Sequence, residues 1–535
     1  MDRHRPSLTS VRSAAPPTLA LAFLGALVVW PILAILLRSL GGVGVRRLTE
    51  ILGREAVWRV VGFTVGQAAL SMVLTLAIGL PVALGLARYE LPGRQAIRSL
   101  VVVPFVLPTV VVAAAFRTVF GVFGAFEQSL FAILSAHVFF NLAVVVRVVG
   151  GAWARIDARQ TDAARVLGAS GWQAFRRVTL PTLRGPIAAS ATLVFLFCFT
   201  SYGVILMLGG PTRATLETEI QRYAVFRQEF DVAAVLALLQ MAVVAWLAIV
   251  GGRLQRRIPG GGMASQRALR RRRLPIDSAS RRVFAALVLV IVTVVIVVPM
   301  AALVERSLRV GEGHGFDHFA RLVERSDVLP VSPARALVHS LSFALAAALI
   351  AVACALVTAR SIDRGGRLGR LVGLVSLVPL GVSAVTLGFG YLVGFARFDL
   401  RRSLWLIPAA HAVIGLPFVL ATILPALTSI PERLRHAAAS LGASPRDVVR
   451  SIERPIVRRA MLNGAGFAVA VSVGEFGATS FLARGSSGFT APLAVFRLLS
   501  RPGDTLRGQA LALSVIIGLI VGSLAFVLDR VGGAD

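Results

Sequence analysis

Apolar residues along this 535-residue chain gather in blocks of roughly 20, parted by short stretches rich in Arg, Asp, Glu, Gly and Pro. A helix of that length crosses the hydrocarbon core of a bilayer, and within lipid it satisfies its own backbone. The pattern predicts an all-α polytopic membrane protein. Its twelve spans fall at 17–38, 62–87, 96–118, 129–150, 186–209, 230–252, 283–304, 336–359, 368–394, 403–427, 460–482 and 508–528. The first span follows Arg3, Arg5 and Arg12 and runs apolar through Pro31 with no small-residue cleavage site, so it reads as an uncleaved anchor.

The pattern repeats. A shift of 274 residues, without a gap, sets His137 on His411, Leu142 on Leu416, Arg159 on Arg433, Gly203 on Gly477 and Leu208 on Leu482. With one added residue the match extends from ATLETEIQR (214–222) to TAPLAVFR (490–497). The chain therefore divides into a first repeat over 1–258, a linker over 259–281 and a second repeat over 282–535, with six spans in each repeat. An even number of spans makes both halves enter the membrane from the same side. That is a parallel repeat about an axis along the membrane normal, able to enclose a central path.

Composition narrows the class. With 56% hydrophobic and 15% charged residues, the chain is neither a soluble enzyme nor disordered. All 56 basic residues are Arg. Without Lys there is no P-loop and no Schiff-base chemistry, so the chain cannot be a Walker-type ATPase by itself. The net charge of +30 is a topology signal: with both termini in the cytoplasm, 35 Arg and 11 acids fall inside, against 21 Arg and 14 acids outside. Nucleic-acid binding gains no separate support. The linker's Arg267, Arg270 to Arg273, Arg281 and Arg282 read as a solvated joint touching anionic lipid. Cys198 and Cys354 lie inside apolar spans and read as packing residues.

The best-matched segment between the halves is a polar loop, at TDAARVLGASGWQAFRRVTLPTLRGPI (161–187) and RHAAASLGASPRDVVRSIERPIVRRAM (435–461). Loops drift faster than the elements they join, so two alike loops point to a shared partner. Gly168 and Gly442 can each end a helix in the left-handed conformation. Ser170 with Gln173, and Ser444 with Asp447, form capping boxes for a second helix, and Pro181 and Pro455 close each unit before the next span. The expectation is a short helix-turn-helix projecting from the membrane, twice.

D-A-A-x-x-x-G followed by L-P resembles the EAA loop of type I ABC importer permeases, and the resemblance covers nearly the whole chain. It places Asp162, Ala163, Ala164 and Gly168 at motif positions of the first loop (about 157–186), and Ala437, Ala438 and Gly442 in the second (about 431–460). His436 stands where the motif has an acid, and Arg454-Pro455 where it has Leu-Pro. The resemblance implies a permease in the bacterial cytoplasmic membrane, with no ATPase and no cofactor of its own. It implies two copies of a cytoplasmic ABC ATPase carrying ATP and Mg²⁺, docked at the two loops, and an extracytoplasmic solute-binding protein.

Two fused halves resemble the thiamine and ferric-iron importer permeases. AHVFFNL (136–142) and FCFTSYGVILMLGGPTRATLETEIQ (197–221) point to the thiamine type, while SVGEFGATSFLARG (472–485) is shared with molybdate, sulfate and iron permeases. Thiamine or a thiamine phosphate is the expected solute, with ferric iron as the alternative. An ion-gradient-driven transporter is the rival from another class, opposed by the scarcity of carboxylates within spans. A membrane-embedded enzyme lacks a nucleophile–base pair.

Glu475 is the one acid placed well inside a span, and with Ser201, Tyr202 and Phe476 it is the candidate for the translocation path or gate. It either contacts a cationic solute or pairs with a neighbouring span. Pairing is favoured, since the G-E-F run also occurs in anion permeases. His137 and His411 can bind metal or make interhelical hydrogen bonds; the repeat accounts for the pair without metal. Gln67, Asn141 and Gln240 read as polar links between helices.

Overall fold

The computed structural model describes residues 15–41, 44–121, 128–257, 274–398 and 403–532. Arg3, Arg5, Arg12, Arg267 and Arg270 to Arg273 lie outside the described residues. Among those described, ten helices are long and apolar enough to span a membrane, or twelve if each of two bent pairs is one span. From the first half come α1 (Pro17–Ser39), α2 (Glu55–Arg88), the bent pair α3 (Arg94–Phe105) and α4 (Thr109–Gly121), and α5 (Leu130–Ala154). Then come α6 (Ala158–Val166), α7 (Gly171–Phe199), α8 (Gly203–Leu208), α9 (Leu216–Gln221) and α10 (Phe230–Arg257). The second half repeats the order with α11 (Ala279–Leu308), α12 (Pro333–Asp363), the bent pair α13 (Gly366–Gly381) and α14 (Ala384–Gly394), and α15 (Leu406–Thr428). It ends with α16 (Glu432–Ser440), α17 (Pro445–Val473), α18 (Gly477–Leu482), α19 (Ala491–Leu499) and α20 (Asp504–Gly532).

Four expected spans are corrected. Residues 96–118 and 368–394 are not single helices, since α3 meets α4 at 107° and α13 meets α14 at 109°. Pro108 pushes Leu107 out of the α region to ψ 143° and so stops α3. In the second half Val382 is extended, and the Ser383 hydroxyl restarts the helix by accepting the Thr386 N–H at 3.0 Å. Spans 186–209 and 460–482 end early, at Phe199 and Val473, with α8 and α18 following as separate short helices. Each break is a short polar run closing on a glycine, Gly203 or Gly477, where side-chain hydrogen bonds compete with the helix ladder.

Two compact units do not coincide with the two halves of the chain. One comprises the described parts of 43–324 and 495–518. Its core is α2, α5 and α7 packed on one another, with α11 laid on α2 and α4. The other comprises the described parts of 1–42, 325–494 and 519–535. Its core is α12, α15 and α17, with α1 laid on α12 and α14. Each unit thus takes its first span from the other half of the sequence. In the second unit, Trp30 Nε1 donates to the Gly394 carbonyl and Tyr391 Oη to the Leu27 carbonyl, both at 3.0 Å, fixing α1 to α14.

Equivalent ties recur in both units. The Thr64 hydroxyl accepts the Leu216 N–H at 3.1 Å, and Ser340 accepts the Ala491 N–H at 2.9 Å. The N-termini of α9 and α19 are so held to α2 and α12. Of the polar links, Gln67 Nε2 donates to the Cys198 carbonyl at 2.9 Å and Gln240 Nε2 to Glu217 Oε1 at 2.5 Å. Asn141 Nδ2 reaches both the His137 carbonyl (2.9 Å) and Cys198 Sγ (3.4 Å).

Candidate functional site

The two loops fold alike from the same local chemistry. After α6, Gly168 takes φ +85°; after α16, Gly442 takes φ +85°. The Gly168 N–H donates to Arg165 O and the Ala169 N–H to Ala164 O, both at 3.0 Å. In the second loop Gly442 donates to Ala439 O and Ala443 to Ala438 O, again at 3.0 Å. This is the doubled closure that satisfies the last carbonyls of a helix. The second alanine of each motif, Ala164 or Ala438, accepts the outer bond, and both are half-buried. Asp162, Ala163, His436 and Ala437 are exposed.

The next helix opens with the expected capping box in both copies. Ser170 Oγ accepts the Gln173 N–H at 3.2 Å while Gln173 Oε1 accepts the Ser170 N–H at 2.9 Å. Ser444 Oγ accepts the Asp447 N–H at 3.3 Å, and Asp447 Oδ2 accepts from the Ser444 N–H (3.1 Å) and hydroxyl (2.6 Å).

Pro181 and Pro455 do not close the hairpins. Each lies inside a helix that continues from the hairpin into the span, Gly171–Phe199 or Pro445–Val473. Just before each proline the helix widens to a π turn, over Phe175–Thr179 and Val449–Glu453. The N–H of the preceding residue reaches five residues back, from Leu180 to Phe175 O and from Arg454 to Val449 O. The wider turn makes room for a ring that would otherwise clash with the helix carbonyls. The hairpin's second arm is therefore a stiff extension of the span.

The hairpin tips present apolar side chains to the outside. Val166 and Leu167 are each 87% exposed, Trp172 67% and Leu441 88%. The first tip thus exposes three large apolar side chains within seven positions and the second exposes one.

At the break after α7, Ser201 Oγ lies 2.9 Å from His137 Nε2, whose Nδ1 lies 2.9 Å from Ser71 Oγ. At the break after α17, the equivalent of Ser201 is Glu475, whose Oε2 lies 3.0 Å from His411 Nε2. Nε2 also lies 2.8 Å from the Thr479 hydroxyl, which itself donates to Glu475 Oε2, and Nδ1 faces the Ser472 hydroxyl at 2.7 Å. Glu475 also caps α18, accepting the Ala478 N–H at 2.7 Å and, from Thr479, the N–H at 3.0 Å and the hydroxyl at 2.6 Å. It is buried, and it stands at a break between helices, not within a continuous span as expected. Tyr202 and Phe476 stand at the N-cap positions of α8 and α18 and are buried, as is Ser201. Both histidines thus make interhelical hydrogen bonds. Among the described residues no three His, Cys, Asp or Glu side chains gather as a metal would need.

Sequence reasoning missed two further buried acids, Glu217 and Glu219 on α9. Glu219 pairs with Arg222 at 2.7 Å, and burial raises its carboxyl above the usual range against the pull of Arg222. The three-residue offset of Glu219 and Arg222, one turn apart, was the available signal.

Residues 76–310 and 347–533 each match the family described as binding-protein-dependent transport system inner membrane component. The chain belongs to this family, as a multi-pass transport permease subunit with the domain present twice. Among its relatives is the thiamine transport system permease protein ThiP of Brucella abortus (strain 2308), 28% identical over 534 residues, covering 96% of this chain and 94% of the relative. The protein of the same name in Escherichia coli (strain K12) is 27% identical and covers 90% of each chain. That of Haemophilus influenzae is 25% identical, covering 89% of this chain and 90% of its own.

Proposed function

We propose that this chain is the membrane subunit of an ATP-driven importer for thiamine or a thiamine phosphate, assembled with two copies of a cytoplasmic ABC ATPase and an extracytoplasmic solute-binding protein. The observation that carries the architecture is the pair of hairpins, closed by the same bonds and each exposing at least one large apolar side chain at its tip. A stiff arm running from hairpin to span would pass a push at the tip directly to the membrane. In this reading each hairpin seats in one ATPase, which supplies ATP and Mg²⁺, and closure of the ATPases rocks the spans to admit solute. Both termini lie in the cytoplasm, on the side carrying the excess of Arg. The halves 1–258 and 282–535 are two copies of one permease unit. Glu475 serves as cap and partner of His411, with Ser201, Tyr202 and Phe476 beside the equivalent breaks.

The choice of solute rests on relatives named for thiamine transport that match nearly full length. The test is uptake of labelled thiamine in the source organism with and without the gene, with ferric iron in parallel. Selective loss of thiamine uptake is the expected result. Loss of iron uptake alone would replace the solute and keep the architecture. Uptake that survives removal of the partner ATPase but collapses with the ion gradient would overturn both.

A further inference from the structure

One cavity of about 290 Å³ lies at the end of α11 and the start of α20, within a single compact unit. The spans α7, α10 and α11 separate it along the chain from the first hairpin, and three crossings put it on the opposite face of the membrane. Arg306, Arg309, Arg321 and Arg507 line it. None of the four has an ion-pair partner among the described residues. Asp317 and Asp504 also line the cavity, leaving it two charges positive.

The site is built around a buried ring. His318 is only 8% exposed and lines the cavity. Its Nε2 donates to the Arg309 carbonyl at 3.0 Å, while Nδ1 is buried with no hydrogen-bond partner. An unpaired buried nitrogen is costly. The ring packs flat on Gly508, where an added Cβ would stand 2.3 Å from it. That bare backbone is what lets the ring sit there. Next to Asp317 and two residues beyond Arg321 in the chain, Phe316 and Val323 stay largely exposed, as side chains do at the boundary between lipid and water.

We propose that this cavity binds a phosphate group, presented by the headgroup of an anionic phospholipid in the outer leaflet or as free phosphate. Guanidinium forks suit a phosphate's several oxygens better than a single-point anion, and four arginines line this cavity. The exposed Phe316 and Val323 would lie along the lipid's glycerol and upper acyl chains.

The full chain, purified in detergent and stripped of lipid, is titrated with dioleoylphosphatidylglycerol against a dioleoyl galactolipid, and with inorganic phosphate against chloride at matched ionic strength. Bound lipid is counted by native mass spectrometry, and thermal unfolding reports both ligands. Phosphatidylglycerol should bind in preference to the galactolipid, and Arg309→Gln with Arg321→Gln should weaken it by about tenfold or more. Arg501→Gln, outside the cavity, should leave binding unchanged. Gly508→Ala should weaken binding by displacing the ring. A response to inorganic phosphate without one to the lipid would assign the site to free phosphate. If neither phosphate ligand outperforms its control on the wild-type chain, or if the double arginine variant binds as wild type does, the proposal is overturned.

Discussion

In the first hairpin Trp153, Phe175 and Trp172 form a ladder of stacked rings, with centroids 6.0 and 5.5 Å apart, and Thr161 and Thr179 are buried beside it. In the second hairpin every one of these positions changes character. Leu427, Val449 and Arg446 replace the rings, and Arg435 and Glu453 replace the threonines. Arg435 now pairs with Asp363 at 2.9 Å and with Glu453 at 3.3 Å, and Arg360 reaches Glu453 at 3.3 Å. The turn is the same in both, yet one hairpin is held to its span by apolar stacking and the other by a partly buried ion cluster. Duplication has kept the shape of the tip and let its anchorage diverge. The two tips therefore stand on supports of different sensitivity to solvent.

The largest expected effect tests what the hairpins share. At φ +85° a β-branched side chain is strained by roughly 1–3 kcal/mol, and the doubled closure depends on that conformation. Gly168→Val with Gly442→Val should abolish uptake while the protein remains in the membrane at wild-type abundance. Each single variant should leave partial activity if one hairpin suffices to couple. Normal uptake by the double variant, measured with membrane abundance by immunoblot, would refute the hairpin assignment.

The next effect separates the two anchors. A partly buried ion cluster weakens as salt screens it, whereas stacked rings do not. Hydrogen exchange at residues 432–453 should quicken between low salt and 1 M, while exchange at 158–179 stays constant. Glu453→Gln should remove the salt dependence and cost about 1.5–3 kcal/mol of local protection, since hydrogen bonds to charged groups contribute in that range. Equal salt responses in the two hairpins would erase the distinction.

These differences also mark what the sequence could and could not tell. The glycine stops and capping boxes were legible because they depend on residues three to five apart. The continuity of α7 and α17 through Pro181 and Pro455 was not, because proline in a helix ordinarily signals a stop and the π turn that accommodates it has no spacing of its own. The bend at Leu107 was within reach, since Pro108 follows it; the bend at Val382 has no proline directly after it, and with Pro379 three residues before it the turning point was hidden in an apolar run. Glu475 was singled out as an acid among apolar residues, but its partner His411 lies 64 positions away, a distance only the packing of α15 against α17 closes. The exchange of first spans between units was also illegible, because hydropathy locates a span without saying which neighbours it meets.

The smallest expected effect lies in the caps. Ser170→Ala or Ser444→Ala should each cost about 0.5–2 kcal/mol of local helix stability, but the two boxes should respond differently to pH. In the second, Asp447 lies on the exposed hairpin before the apolar stretch of α17. The Ser444 hydroxyl, and then its backbone N–H, hold its carboxyl below the usual aspartate range. A group whose folded value is depressed contributes stability that is complete above its unfolded value and is lost as pH falls through the folded one. The first box uses Gln173, which does not titrate. Acidification through and below the ordinary aspartate range should therefore speed hydrogen exchange around 444–448 and leave 170–174 unaffected. Asp447→Gln should make the two hairpins respond alike, because it keeps an acceptor for the Ser444 N–H and removes the charge. A pH response at 170–174 equal to that at 444–448 would show that acid loosens both hairpins through some group other than Asp447.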